Sequence, residues 1–165
     1  MDLRSLQKPL KDQYRSTPDT ARITLTARSS QLSTPVACSV DIGRAVYQAE
    51  AHSGVGGPGG AACSGDLLLG ALAACAQITC QMVATAMGIA TEQIEVTAEG
   101  DLDLRGTLGI ARDVPVGFEN IRLNFAIDAP NATSEQLQAL REKTEQYCVV
   151  AQTLLKPPQI ETSWT

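Results

Sequence analysis

The sequence has one histidine, His52, and few aromatic residues: two Phe, three Tyr and one Trp among 165. With no serine or cysteine in a recognised motif beside that histidine, a Ser–His–Asp or Cys–His–Asn set cannot be assembled from the sequence. His52 is kept only as a weak candidate for lining a site. Cysteine occurs five times, at 38, 63, 75, 80 and 148, never as C-x-x-C. That pattern excludes a structural zinc site, which needs four ligands in short paired spacings. Positive charge is also scarce. There are 13 Lys and Arg against 18 Asp and Glu, a net charge of -5 and a pI near 4.8. The bases are scattered along the chain, so no electrostatic footprint for nucleic acid or an anionic membrane is expected, and the partners expected are small molecules or proteins. The opening residues MDLRSLQKPLKDQYR carry charge without an apolar run. They do not form a signal or transit peptide of familiar type, and the expected location is the cytoplasm. Stable disulfides are not expected there, which leaves the thiols either buried and inert or catalytic.

What the sequence does contain is a globular composition, 44% hydrophobic and 19% charged, in a length that fits one fold. Residues 1–19 carry charge, Pro18 and little periodicity and form an arm or a marginal first element; the domain proper is expected over 20–165. Alternation begins at Arg22, with Ile23, Leu25 and Ala27 on one face and Thr24, Thr26 and Arg28 on the other, and so predicts a strand. A second strand is expected at Val36, Cys38, Val40 and Ile42, then a turn at Asp41–Arg44 and a third strand through Tyr47 and Ala49. The glycine-rich stretch SGVGGPGGAACSG, 53–65, opposes both helix and ladder.

Residues 67–90 contain no charge and pass the length test for a membrane span. Gln77, Thr79, Gln81 and Thr85 interrupt the run, alanine outnumbers leucine, and the flanks are acidic, so a buried central helix is expected. Ser64 is its candidate N-cap, Asp66 stands in its first turn, and Gly88 ends it. Two strands follow, at Ile94–Ala98 continuing to Leu102 and Leu104, and at Ile121–Ile127. A capping box at Thr133 and Gln136 starts a helix with Leu137 and Leu140 inward, and Pro157-Pro158 precedes a last short strand at Ile160, Thr162 and Trp164. The order βββ-α-ββ-α-β implies an α+β fold, an antiparallel sheet with helices on one side.

Gly54, Gly56 and Gly59 satisfy the letter of G-x-G-x-x-G. Pro58 lies inside the loop, no acidic residue stands about 20 positions on, and the order is not βαβ, so no dinucleotide cofactor is expected. Cys75 falls mid-helix, and Cys148 follows the amphipathic helix on its inward face. Buried cysteine usually behaves as a small hydrophobe, and Cys75 lies too far from the helix start to feel its dipole; lowering its pKa would need a cation from elsewhere in the fold.

The run SGDLLLGALAACAQIT resembles the first motif of the OsmC and organic hydroperoxide resistance family, with Cys75 at the place of the first active cysteine. YCVVAQTL resembles the second motif, with Cys148 in the second role, and the likeness spans roughly residues 20–165. It departs at Ser64-Gly65, where the family has Pro-Glu, and at Val149, where Pro is common. The resemblance implies an intertwined homodimer with two sites at the subunit interface. There a small organic hydroperoxide oxidises Cys75, Cys148 closes a disulfide on it, and an external dithiol reductant restores the pair. It also implies an arginine activating the thiolate, for which Arg28 is the best counterpart with Arg15 and Arg22 as fallbacks; Asp66 takes the orienting acid's role. Cys80, five residues after Cys75 and about 140° round the helix, should not face the same site. Two functional classes follow, a thiol peroxidase or a non-enzymatic relative that binds a hydrophobic ligand or senses oxidants.

Overall fold

A computed structural model describes residues 3–25, 27–31, 37–42 and 45–164. The chain divides into two compact units, Met1–Leu68 with Gly100–Asn120, and Leu69–Glu99 with Ile121–Thr165.

In the first unit, α1 (Leu3–Ser16) leads to a 3-10 turn at Pro18–Ala21, so most of the expected arm is helical. An antiparallel meander follows: β1 (Arg28–Gln31), β2 (Ala37–Asp41) and β3 (Val46–Glu50). The predicted first strand is displaced. Ile23 and Leu25 lie outside any strand and are 78% and 87% exposed. Alternation records which faces differ, but a strand also needs a ladder partner. Arg28 already pairs with Asp41, the last residue of β2. Ile42 N–H bonds to Ala45 O at 3.1 Å and closes the predicted turn. Thr26, Val36, Gly43 and Arg44, which belong to these predictions, lie outside the described residues.

The glycine-rich stretch is irregular, as expected. Glu50 clamps it, its Oε2 accepting from Gly60 N at 2.8 Å and Ala61 N at 3.2 Å. A Cβ on Gly57 would stand 1.7 Å from Ala51 O, so only glycine fits there. The stretch delivers the chain to α2 (Ser64–Met87). Cys63, and not Ser64, takes the capping position: its O accepts from Leu67 N at 3.1 Å, and Asp66 Oδ2 accepts from its N–H at 2.9 Å.

In the second unit, Leu72, Ala76, Cys80, Val83 and Ala84 form the buried stripe of α2. They pack in two clusters. Cys80, Val83 and Ala84 meet Ile89, Ile94 and Leu140, while Leu72 and Ala76 meet Cys148. The polar residues that interrupt the uncharged run are put to use; Gln77 Nε2, for example, donates to Ile94 O at 2.6 Å. Gly88, at φ 72°, ends α2 in the left-handed region that favours glycine.

The strands β4 (Gln93–Asp101) and β5 (Asn120–Asp128) pair. Leu102 and Leu104 do not extend β4, because the Asp103 carboxylate accepts from Arg105 N and starts α3 (Leu104–Thr107) instead. The predicted capping box of Thr133 and Gln136 opens α4 (Ser134–Tyr147). Leu140 is fully buried but Leu137 is exposed. The buried stripe runs 140, 144, 148 at four-residue spacing, which leaves Leu137 on its flank. A short helix, α5 (Val149–Leu155), ends before Pro157. Residues 157–164 carry no strand, and Ile160 and Trp164 are exposed; two prolines without N–H groups remove ladder donors where a strand would begin. The mixed α+β class stands, with small antiparallel sheets.

Candidate functional site

Three helices place two thiols side by side in the second unit. Cys148 ends α4, its N–H bonding to Thr144 O at 3.0 Å, and begins α5, its O accepting from Gln152 N at 2.9 Å. Its extended backbone, φ -70° and ψ 104°, breaks the helical path between them. The residue is 2% exposed and packs on Leu72 and Ala76. Cys75, half-buried on α2, joins the same cluster with Val150 and Ala151. The expected pair is thus brought together by the packing of α2 on the junction of α4 and α5.

The two thiols are electrically unlike. Burial works against the Cys75 thiolate, but four donors together outweigh it: the N–H of Val150, the Cys148 thiol, the Thr79 hydroxyl and the N–H of Val149. The Cys75 pKa is therefore held below the ordinary thiol value. Burial pushes Cys148 up, and although the N–H groups of Ala151 and Val150 pull it down, donating to Cys75 and facing its negative charge keep it raised. The arrangement favours the thiolate at Cys75 and the thiol at Cys148, with the second donating to the first.

The sequence did not reveal three of these donors. Thr79 stands one turn after Cys75, a spacing that could have pointed to it. The N–H groups of Val149 and Val150 become available only because α5 starts at Cys148 and leaves its first N–H groups without intrahelical acceptors. Proline at 149 would have no N–H to offer, so the departure from the common Pro adds a donor.

Cys80 lies in the other cluster, as its position round the helix predicted, and burial pushes its thiol up against the opposing effect of Thr144. The Thr144 hydroxyl is itself buried, facing that thiol, a weak acceptor, without a hydrogen bond of ordinary geometry. Cys63 and Cys38 are half-buried in the first unit.

Arg28 and Asp66 belong to the first unit. Arg28 is exposed on β1. Asp66 has its carboxyl lowered, first by the Cys63 N–H, then by the Cys63 thiol and by nearby His52. His52 Nδ1 accepts from Gly54 N at 3.0 Å and caps a turn at Ser53–Val55. The fallback arginines form exposed ion pairs, Arg15 with Asp12 at 3.0 Å and Arg22 with Asp19 at 3.8 Å.

The sequence profile of the family described as OsmC-like protein matches residues 57–163, which include both cysteines. No curated protein matches the chain in sequence. Among solved structures, it is similar to an OsmC-like protein from Mycoplasma pneumoniae, with TM-score 0.66 and 16% identity, over 82% of this chain and 89% of that one. An organic hydroperoxide resistance protein OsmC from Legionella pneumophila aligns with TM-score 0.61 and 20% identity, over 80% and 89%. An organic hydroperoxide resistance protein from Elizabethkingia anophelis aligns with TM-score 0.59 and 21% identity, over 80% and 88%.

Proposed function

Because the chain belongs to the OsmC-like family, we propose that it is a thiol peroxidase that reduces small organic hydroperoxides through Cys75 and Cys148. The observation that carries this reading is the paired asymmetry of the two sulfurs, one thiol lowered by four donors and its neighbour raised and donating to it.

The Cys75 thiolate attacks the O–O bond of the hydroperoxide. A sulfur–oxygen bond forms, the peroxide bond breaks, and the alkoxide leaves as the alcohol with a proton from water. Cys75 is then a sulfenic acid. Cys148 attacks its sulfur, the S–S bond forms, and the oxygen departs as hydroxide, which the Cys148 proton turns into water. An external dithiol exchanges with this disulfide, is itself oxidised to a disulfide, and restores two thiols. This reading asks for a positive charge at the thiolate, a role that the family resemblance assigns to Arg28, with Asp66 as the acid that orients it. Five unpaired cysteines suit the reducing cytoplasm, where we place the reaction.

A homodimer fits the same site. Ala71, Ile78 and Met82 share the face of α2 that carries Cys75, at the spacing i, i+4, i+7 and i+11, and Ile78 and Met82 are 55% and 40% exposed. A second copy covering that stripe would wall the thiolate with apolar surface and make each site a shared one.

The test is to mix reduced protein with cumene hydroperoxide and a dithiol and follow peroxide loss, then repeat with Cys75→Ser and Cys148→Ser. Turnover by the wild type and none by Cys75→Ser supports the peroxidase. Peroxide surviving equally in all three rejects it and leaves ligand binding or oxidant sensing as the role of the pair.

A further inference from the structure

In a continuous helix each carbonyl accepts from the N–H four positions on, so Thr144 O would take Cys148 and Glu145 O would take Val149. The first of these bonds is made, at 3.0 Å. The second is replaced. Glu145 O accepts at 2.8 Å from Nε2 of the Gln152 side chain, seven residues on and in the first turn of α5. The Val149 N–H that this carbonyl would have held goes to the Cys75 sulfur instead.

The exchange has a backbone cause. Helix α4 ends at Tyr147, and Cys148 stands at ψ 104°, far from the helical value of about -42°. Rotation about that bond sets where the next peptide, and with it the Val149 N–H, points. A carbonyl in the last turn of a helix that stops needs a donor from outside the ladder, and a side chain can supply it. Gln152 is well placed to do so, because its own N–H bonds to Cys148 O at 2.9 Å. It thus ties positions 145 and 148 to α5. The other polar side chain of α5, Thr153, is engaged within the helix, its hydroxyl donating to Val149 O at 2.8 Å.

We propose that Gln152 is a positioning residue: by taking the donor's place at Glu145 O, its amide keeps the Val149 N–H available to Cys75. Without that amide, the donor nearest in sequence for Glu145 O is the Val149 N–H itself. Turning the Cys148–Val149 peptide to satisfy the carbonyl withdraws that N–H from the sulfur. The role requires an N–H at the end of side chain 152, since a chain of equal length without a donor leaves Glu145 O to compete. Its part in turnover rests on the peroxidase reading of Cys75; its effect on the thiol does not.

The test follows iodoacetamide labelling of Cys75 in the reduced full chain across pH, by mass spectrometry, in the wild type, Gln152→Met, Val149→Pro, Thr79→Val and the doubles with Gln152→Met. Methionine keeps the length and helical preference of glutamine without its donor. In Gln152→Met the rise of the labelling rate should move to higher pH, with the rate near pH 7 falling about threefold or more and the plateau at high pH kept. Gln152→Leu should do the same. Added to Val149→Pro, which has no N–H to withdraw, Gln152→Met should change the profile no further. Added to Thr79→Val, it should lower the rate by the same factor as in the wild type. A Gln152→Met profile that superimposes on that of the wild type, or an effect undiminished in Val149→Pro, would overturn the proposal. So would a raised plateau with an unmoved midpoint, which marks a loosened corner. Cumene hydroperoxide loss, followed on the same samples, separates the two readings. A wild type that leaves the peroxide intact while Gln152→Met shifts the profile rejects the peroxidase and keeps the positioning role; turnover with an unmoved profile does the reverse.

Discussion

Val149 follows Cys148 and offers its N–H to the Cys75 sulfur. It occupies the first position of α5, where proline is well tolerated because its fixed φ suits a helix start. The preceding Cys148 has the extended backbone that proline requires of its neighbour. Val149→Pro therefore removes one donor with little cost to the fold, and it should raise the Cys75 pKa. Thr79→Val should move it in the same direction. The measurement is the pH dependence of sulfenate formation in stopped flow. Since the reactive form is the thiolate and its pKa is lowered, the wild-type rate should rise through a pH below the ordinary thiol range and then level off, and both variants should shift that rise upward. An unchanged profile in Val149→Pro would remove the N–H from the account. Alkylation by iodoacetamide, read by mass spectrometry near neutral pH, should label Cys75 ahead of Cys148 and Cys80, whose thiols burial raises.

Elements were legible where a local rule sufficed. The capping box, the glycine stop at Gly88 and the alternation of β5 each involve residues a few positions apart, and each was placed from sequence. The strands expected at Arg22–Arg28 and at Ile160–Trp164 failed because a strand needs a partner that periodicity cannot name. The pair of cysteines came from family resemblance; the donors around them came from the junction of α4 with α5, which no local pattern announces. Two stability predictions belong here. Thr133→Ala should cost about 1 kcal/mol in urea unfolding by removing the cap of α4. Thr144→Val should hold or raise stability, because a buried hydroxyl without a good partner has already lost its hydration.

At the scale of the molecule, the exposed stripe of α2 decides what the protein is in solution. A 24-residue helix without charge after Asp66 buries one side in its own unit and leaves Ile78 and Met82 in the open. Exposed apolar surface of this kind marks an interaction site. The double substitution Ile78→Glu/Met82→Glu should leave the protein folded and convert a dimer to monomers in analytical ultracentrifugation. Peroxide turnover should fall with it, since both residues flank the face of Cys75. A wild type already monomeric at micromolar concentration would reject the shared site.

One residue, Cys148, belongs to two helices at once, with nothing between α4 and α5 to absorb motion. In the reduced protein the last turn of α4 and the first turn of α5 can each fray alone, at the cost of their own hydrogen bonds. Once Cys148 is bonded to Cys75, fraying at that corner must drag α2 with it. On the proposed chemistry, amide exchange at residues 147–152 should therefore be a gauge of redox history: fast in molecules that reductant has reset, and slow in those whose Cys75–Cys148 disulfide still records a peroxide they have met.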